Sequence, residues 1–242
     1  MKLLKTPLFW ISVVLVLIAS VMPLWLSAYF LGVLTLAYYF GVFAMSWDLL
    51  FGFAGEVNFG PTALIGLGAY GAAMLNSMAG MPIPVCLIFG ALLAVVGGAL
   101  LALPALRLTG PYFGLVTLVA VLLLQNFIVI FAGVTGGEIG MTVPSVLSIS
   151  ASVNYEYALG FLVVCAVILY GLSRSALGLI LQASGQDATE AAALGFNITK
   201  HKVAAFCISA LFSGLAGGML VFYMGTVSVR SEEHTSELQS PA

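Results

Sequence analysis

Between Lys5 and Asp48 the sequence runs for 42 residues without a charged side chain, and between Glu56 and Arg107 for another 50. A membrane-spanning helix needs about 20 mostly apolar residues, so each run has room for two crossings. The whole chain of 242 residues carries 7 Lys+Arg and 9 Asp+Glu, 7% charged, against about 25% in a soluble domain. Mean hydropathy is +1.17. Sixteen charges cannot cover the wet surface of a soluble protein of this size. A cytosolic or secreted globular domain, a disordered chain and a basic nucleic-acid binder are therefore excluded. The composition is that of an all-α polytopic membrane protein.

Seven apolar segments can be marked out. Pro23 and Ser27 divide the first run into helices near 8–26 and 29–51. Gly80-Met81-Pro82 divides the second into 61–79 and 83–103. Further segments fit at 112–132, 157–173 and 203–226. The third carries Gly66, Gly68 and Gly71 and is expected to be a partial or broken helix. Gly214 and Gly218 in the last segment, and Gly110 and Gly114 opening the fifth, have the small-xxx-small spacing that lets helix backbones approach closely.

Orientation follows from the excess of basic residues in cytoplasmic loops. With Lys2 and Lys5 inside and strict alternation, Arg107, Arg174, Lys200 and Lys202 also fall inside. The long loop 133–156 then lies outside, with Glu138 and Glu156 and no Lys or Arg.

Residues 230–242, RSEEHTSELQSPA, break the pattern. Four of these 13 residues are charged, against 12 in the preceding 229. A polar tail is the plain reading. The stretch RSEEHTSELQS also resembles the in-frame translation of a common sequencing-library adapter, and on that reading residues 230–242 are foreign and the natural chain continues beyond Val229. Setting aside Arg230 and the three tail glutamates leaves six basic and six acidic residues.

Few residues carry chemistry. No phosphate-binding Gly-rich loop precedes any of the four lysines, and no HExxH occurs. His201 is the only histidine before the tail. Cys86, Cys165 and Cys207 lie far apart in apolar runs, with no CxxC or Cys/His cluster. Asp48 sits about one turn from the expected inner end of its helix. Glu56 and Asn58 lie in FGFAGEVNFGP, residues 51–61. This Gly-rich stretch is either a cytoplasmic turn or a helix break lining a pathway, since non-helical backbone at membrane depth is tolerated where it borders a cavity or is buried in protein. No charge falls at the centre of a crossing, which weighs against an ion-driven carrier.

The stretch 173–202, SRSALGLILQASGQDATEAAALGFNITKHK, is too long for a minimal turn. Its Ala-rich middle, Asp187 to Leu194, predicts a short helix on the cytoplasmic face, with acids near its positive end and Gly195 as its stop. Small side chains there suit a groove on another protein.

This region resembles the permease loop of ATP-binding-cassette importers. More specifically, the chain is similar to the second permease subunit of branched-chain amino acid importers and to its relatives in urea/amide importers. SWDLLFGFAGEVNFG with GLGAYGAA (46–73), RLTGPYFGLVTL (107–118), GVTGGEIGMTVP (133–144) and ALGFNITKHKVAAFCISALFSGLAGGML (193–220) carry the likeness. Family members usually have a neutral residue at Glu56 and often a histidine at Pro61, and a TGGSDGL-like run where this chain has GVTGGEIGM.

The resemblance implies an incomplete permease domain over 1–229, built around broken helices, in a bacterial cytoplasmic (inner) membrane with the N-terminus inside. It implies alternating access driven by two cytoplasmic ATPase subunits, a sister permease and a periplasmic substrate-binding protein. ATP and Mg²⁺ would sit on the ATPases, and this chain would bind no cofactor and no metal. Gly185, Gln186, Asp187, Glu190, Ala191, Ala192, Gly195, Asn197 and Lys200 are the expected ATPase-coupling residues. Asp48, Glu56, Asn58, Thr135, Gly136 and Gly137 are pathway candidates. An ion-coupled carrier or a channel remains the alternative from another class.

Overall fold

The computed structural model describes residues 7–55, 58–105, 108 and 111–228. Helix α1 (Pro7–Val21) ends in a short 3₁₀ turn, Met22–Leu24, that holds Pro23. Helix α2 (Ala28–Asp48) continues into a π turn, Leu49–Phe53. Helix α3 spans Pro61–Ala79 and stops at Gly80, whose φ of 62° is left-handed, the usual conformation of a glycine terminator. Helices α4 (Ile83–Ala105) and α5 (Pro111–Ile130) follow. A single turn, α6 (Ala132–Thr135), leads to the two-residue strand β1 (Met141–Thr142) and helix α7 (Ala151–Ser173). Helices α8 (Ala176–Gln186), α9 (Ala188–Ala193) and α10 (Ile198–Met224) and strand β2 (Thr226–Val227) complete the order.

Among the described residues, five helices are long and apolar enough to cross a membrane: Ala28–Phe53, Ile83–Pro104, Tyr112–Ile130, Ala151–Ser173 and Ile198–Met224. The chain is a multi-pass helical membrane protein. Of the other two expected segments, α1 is a shorter apolar helix and α3 is enclosed by its neighbours, with about half of its residues buried. Every residue from Gly68 to Ala73 is buried, so α3 is covered on all sides at that level.

Of the expectation of a partial or broken third segment, the break is not met: α3 runs unbroken over Pro61–Ala79, although it is not among the five helices long and apolar enough to cross. A β-carbon at Gly68 would collide with the backbone of Gly214 in α10, and one at Gly90 in α4 would collide with the Gly68 carbonyl. One at Gly217 would collide with the Ile65 carbonyl. Glycine here permits three helix backbones to touch, which is the basis of close packing without a hydrophobic drive in lipid. Gly214 and Gly218 of α10 both belong to this seam, Gly214 against Ala91 and Ala94 and Gly218 against Leu87. Gly110 lies outside the described residues.

The two ends of the bundle are distinct. At one, β1 pairs antiparallel with β2 (Met141 with Val227, Thr142 with Thr226), and Val143 N–H donates to the Gly225 carbonyl. At the other, α8 rests on the bundle and α9 projects from it. Arg174, Lys200 and Lys202 lie at the α8–α9 end, and Glu138 and Glu156 at the β1–β2 end. Lys2, Lys5 and Arg107 lie outside the described residues, as do residues 229–242.

Two boundaries differ from expectation. Helix α7 begins at Ala151, so Glu156 stands in its second turn and not in a loop. Helix α10 begins at Ile198, a turn and a half before the apolar run, because the Asn197 side chain caps it by accepting from Lys200 N–H at 3.0 Å.

Candidate functional site

The stretch 173–202 is a pair of helices and not one short helix in a loop. Helix α8 is amphipathic: Gly178, Leu181 and Ser184 are buried, at the spacing of one helical face, while Leu179 on the opposite side is exposed. Leu181 joins Leu49, Leu50, Ala54 and Leu64 in one apolar cluster, which fastens α8 to the end of the bundle. Asp187 then breaks the helix with extended backbone (φ −148°, ψ 108°) and caps the next. Its Oδ1 accepts from Thr189 N–H at 2.7 Å and Glu190 N–H at 3.0 Å. These bonds to the charged form hold the Asp187 carboxyl below the usual carboxylate range.

Helix α9 presents most of its surface outward. Thr189, Glu190, Ala192 and Ala193 are exposed, and Gly195, at φ +89°, ends it with no neighbour within 4 Å of an added β-carbon. Ala191 is the exception: it is buried at 3% exposure and faces the protein. Two residues absent from the expected set flank Gly195. Leu194 is 76% exposed and Phe196 is 41% exposed. Their position around a glycine terminator was the available signal. Gly185 and Gln186 close α8; Asn197 and Lys200 open α10.

The pathway candidates separate into two places. Asp48 is exposed near the α8–α9 end. Glu56 lies outside the described residues. Asn58 is 1% exposed in irregular backbone between the π turn and α3. Its carbonyl accepts from Trp47 Nε1 at 2.9 Å and its Oδ1 from Gly60 N–H at 2.8 Å. Phe59 N–H donates to Thr117 Oγ1 at 2.9 Å. Asn58 Nδ2 finds no acceptor among the described residues, a burial that costs on the order of 1–3 kcal/mol. Trp47 and Thr117 were not expected here; their partners lie 11 and 58 positions away.

Thr135, Gly136 and Gly137 lie at the other end. Thr135 is buried, its hydroxyl donating to the Ile128 carbonyl at 2.6 Å and accepting from Gly137 N–H at 3.1 Å. Gly136 and Gly137 both have positive φ. This turn is held by its own bonds, about the length of the bundle away from Asn58. Asn76 is the further residue that organises this end: its Nδ2 donates to the Met81 carbonyl at 2.8 Å and to Ser145 Oγ at 3.1 Å, and its Oδ1 accepts from Ser145 N–H at 3.3 Å.

Cys86 and Cys165 are buried and Cys207 is half-buried, each on a different helix. Among the described residues no three His, Cys, Asp or Glu side chains come together as a metal site would need.

A glycine-seamed helical core, one end stitched by short strands and the other bearing a projecting helix, makes this a multi-pass helical membrane protein. Residues 29–239 match the family described as branched-chain amino acid transport system / permease component, and the chain belongs to that family. It is also 28% identical over 251 residues to the high-affinity branched-chain amino acid transport system permease protein LivM of Salmonella typhimurium, covering 90% of this chain and 58% of that one. The LivM protein of Escherichia coli K12 is similar to the same degree, 28% over 253 residues with the same coverage. The chain thus spans less than two thirds of the length of these relatives. No solved structure matches.

Proposed function

We propose that this chain is a permease subunit of an ATP-binding-cassette importer that moves branched-chain amino acids inward by alternating access. The family match over residues 29–239 carries the reading. The names of the two LivM relatives, high-affinity branched-chain amino acid transport system permease proteins, support the substrate class. The chain is placed in a bacterial cytoplasmic membrane with its N-terminus and the α8–α9 end inside. A sister permease completes the pathway, a periplasmic binding protein delivers substrate at the β1–β2 end, and two cytoplasmic ATPases hold the ATP and Mg²⁺.

In this reading α9 is the docking helix. Its exposed Glu190 and Ala192 and the apolar Leu194 and Phe196 form a small tip that an ATPase groove can receive. Asp48 and Asn58 border the inner part of the pathway, and Thr135, Gly136 and Gly137 the outer mouth. The chain itself catalyses no reaction.

Uptake of radiolabelled leucine by cells carrying the full-length protein and its neighbours tests this. Glu190→Lys and Gly195→Pro are expected to lower uptake strongly while leaving membrane insertion intact. Normal uptake in both variants would remove α9 as the coupling element. Uptake of urea or short amides in place of leucine would reassign the substrate, and uptake independent of the ATPases would turn the reading to a carrier or channel.

A further inference from the structure

We propose that Gly55 and Gly185 are positioning residues for transport, the contact through which movement of α8 and α9 reaches α3; this rests on the reading of α9 as the ATPase-docking helix. Gly185 stands in the last turn of α8, two residues before the Asp187 cap that starts α9. A β-carbon at Gly185 would lie 2.5 Å from the Phe53 carbonyl oxygen and 3.2 Å from the Ala54 carbonyl carbon. Reciprocally, one at Gly55 would lie 3.3 Å from the Gly185 oxygen. The two backbones therefore touch with no side chain between them. Gly55 also holds φ +69°, a conformation that side-chain-bearing residues seldom adopt. A contact of this kind has no rotamer to yield, so a displacement of one backbone is passed to the other.

Gly55 stands six residues before Pro61, the first residue of α3. Of the residues between them, Asn58 and Phe59 are fixed to the rest of the bundle, Asn58 by Trp47 Nε1 donating to its carbonyl and Phe59 by its N–H donating to Thr117 Oγ1. Beyond Gly60 comes α3, whose seam with α4 and α10 is backbone on backbone at Gly68, Gly90, Gly214 and Gly217. Leu181 of α8 shares an apolar cluster with Leu50, Ala54 and Leu64, so α8 and the foot of α3 are set in the same packed block. The described contacts run from α9 through Asp187 and Gly185 to Gly55, and from α8 to α3 through the cluster that holds Leu181 and Leu64. Neither glycine touches substrate in this scheme; both act by placing α3.

The test uses the full-length protein, assembled with its sister permease and ATPases in proteoliposomes and supplied with substrate-loaded binding protein. ATP hydrolysis and leucine uptake are measured together for Gly185→Ala, Gly185→Val and Gly55→Ala. Gly171→Ala on α7, where an added β-carbon meets nothing within 4 Å, is the control. Gly185→Val is expected to keep hydrolysis within about twofold while uptake per ATP falls roughly tenfold, the size of an ordinary coupling free energy. Gly185→Ala and Gly55→Ala are expected to be intermediate and the control unchanged. Hydrolysis and uptake falling in proportion, or uptake unaffected in Gly185→Val, would overturn the proposal.

A second readout covers poor assembly of the valine variant. Phe59→Cys, at an exposed position, is placed in a cysteine-free background and labelled with a thiol reagent with and without ATP. The labelling rate is expected to respond to ATP in the parent and not in Gly185→Ala; an equal response in both would overturn the relay. Parent uptake that needs no ATP at all would instead fail the importer reading, and the relay would fall with it.

Discussion

Gly68 of α3 and Gly214 of α10 meet backbone to backbone: a β-carbon on Gly68 would fall on the Gly214 carbonyl group and α-carbon. The contact fixes the spacing of the two helices at the centre of the bundle. Overpacking of such a site costs about 1–3 kcal/mol, and 1 kcal/mol shifts the melting temperature of a protein this size by roughly 2–4 °C. Gly68→Ala is therefore expected to lower the detergent-solubilised melting temperature by roughly 2–12 °C. Gly160→Ala on α7, where nothing lies within 4 Å of the added atom, should leave it unchanged or slightly raised.

Asn76 joins the α3–α4 turn to the segment that follows β1. Replacing it with alanine removes two donated bonds and one accepted bond, leaves Ser145 N–H without its partner and leaves the Met81 carbonyl only the Cys86 Sγ donor. Each buried group so stranded costs on the order of 1–3 kcal/mol. Asn76→Ala is expected to speed amide hydrogen exchange over 141–147 by more than tenfold, since 1.4 kcal/mol is a factor of about ten. Ser145→Ala keeps the backbone bond and should show a smaller change at the same amides.

How much of this was readable follows from where the signals lie. Charges, Pro23, and Gly80 with Pro82 punctuate the sequence, so the helices could be laid out in order, and Asp187 with Gly195 bracketed α9. Helix α3 was misjudged because Gly66, Gly68 and Gly71 read as breaks when only their neighbours show them to be contacts. Helix α8 leaves a weaker trace, Gly178, Leu181 and Ser184 at helical spacing, beside the stronger Ala-rich signal of α9. The start of α7 was lost in its polar residues Asn154 and Glu156. Trp47, Asn76 and Thr117 left no local trace, because a hydrogen bond across 58 or 69 positions has no sequence period.

Thr117 is fully buried and serves two bonds at once, donating to the Gly114 carbonyl and accepting from Phe59 N–H. Thr117→Val keeps the shape and removes both. The Phe59 amide then has no acceptor, a loss of about 1–3 kcal/mol. The variant is expected to insert normally and to show faster hydrogen exchange at 58–60 with little change at the β1–β2 end. Equal acceleration at both ends would mean that the whole bundle had loosened.

The Asp187 cap gives a pH prediction with a definite sign. Its carboxyl is held below the ordinary carboxylate value by the Glu190 and Thr189 amides. A lowered folded pKa means that the folded form binds its proton less readily than the unfolded form. The capping contribution is thus complete above the ordinary carboxylate pKa and fades as pH falls through the lowered value. The Thr189 and Glu190 amide resonances should titrate together in that acidic window and stay flat near neutrality. Asp187→Asn should abolish the titration while keeping a cap, and Asp187→Ala should also fray α9.

Leu194 and Phe196 test whether the tip of α9 is a binding surface. Both project into solvent, so neither contributes much to the packed core, and polar replacement should leave folding alone. If an ATPase groove receives them, they are the apolar anchors of that contact, and anchors typically cost 2 kcal/mol or more when removed, about thirtyfold in affinity. Leu194→Asp and Phe196→Ser are each expected to keep wild-type membrane yield and melting temperature while co-purification of the ATPase falls by at least about tenfold. Ala193→Ser, beside Leu194 on the same exposed helix, should leave co-purification unchanged. The two outcomes separate a docking anchor from an idle exposed side chain: retention of the ATPase by both variants would leave Thr189, Glu190, Ala192 and Ala193 as the remaining outward face of α9, and Leu194 and Phe196 would not be its anchors.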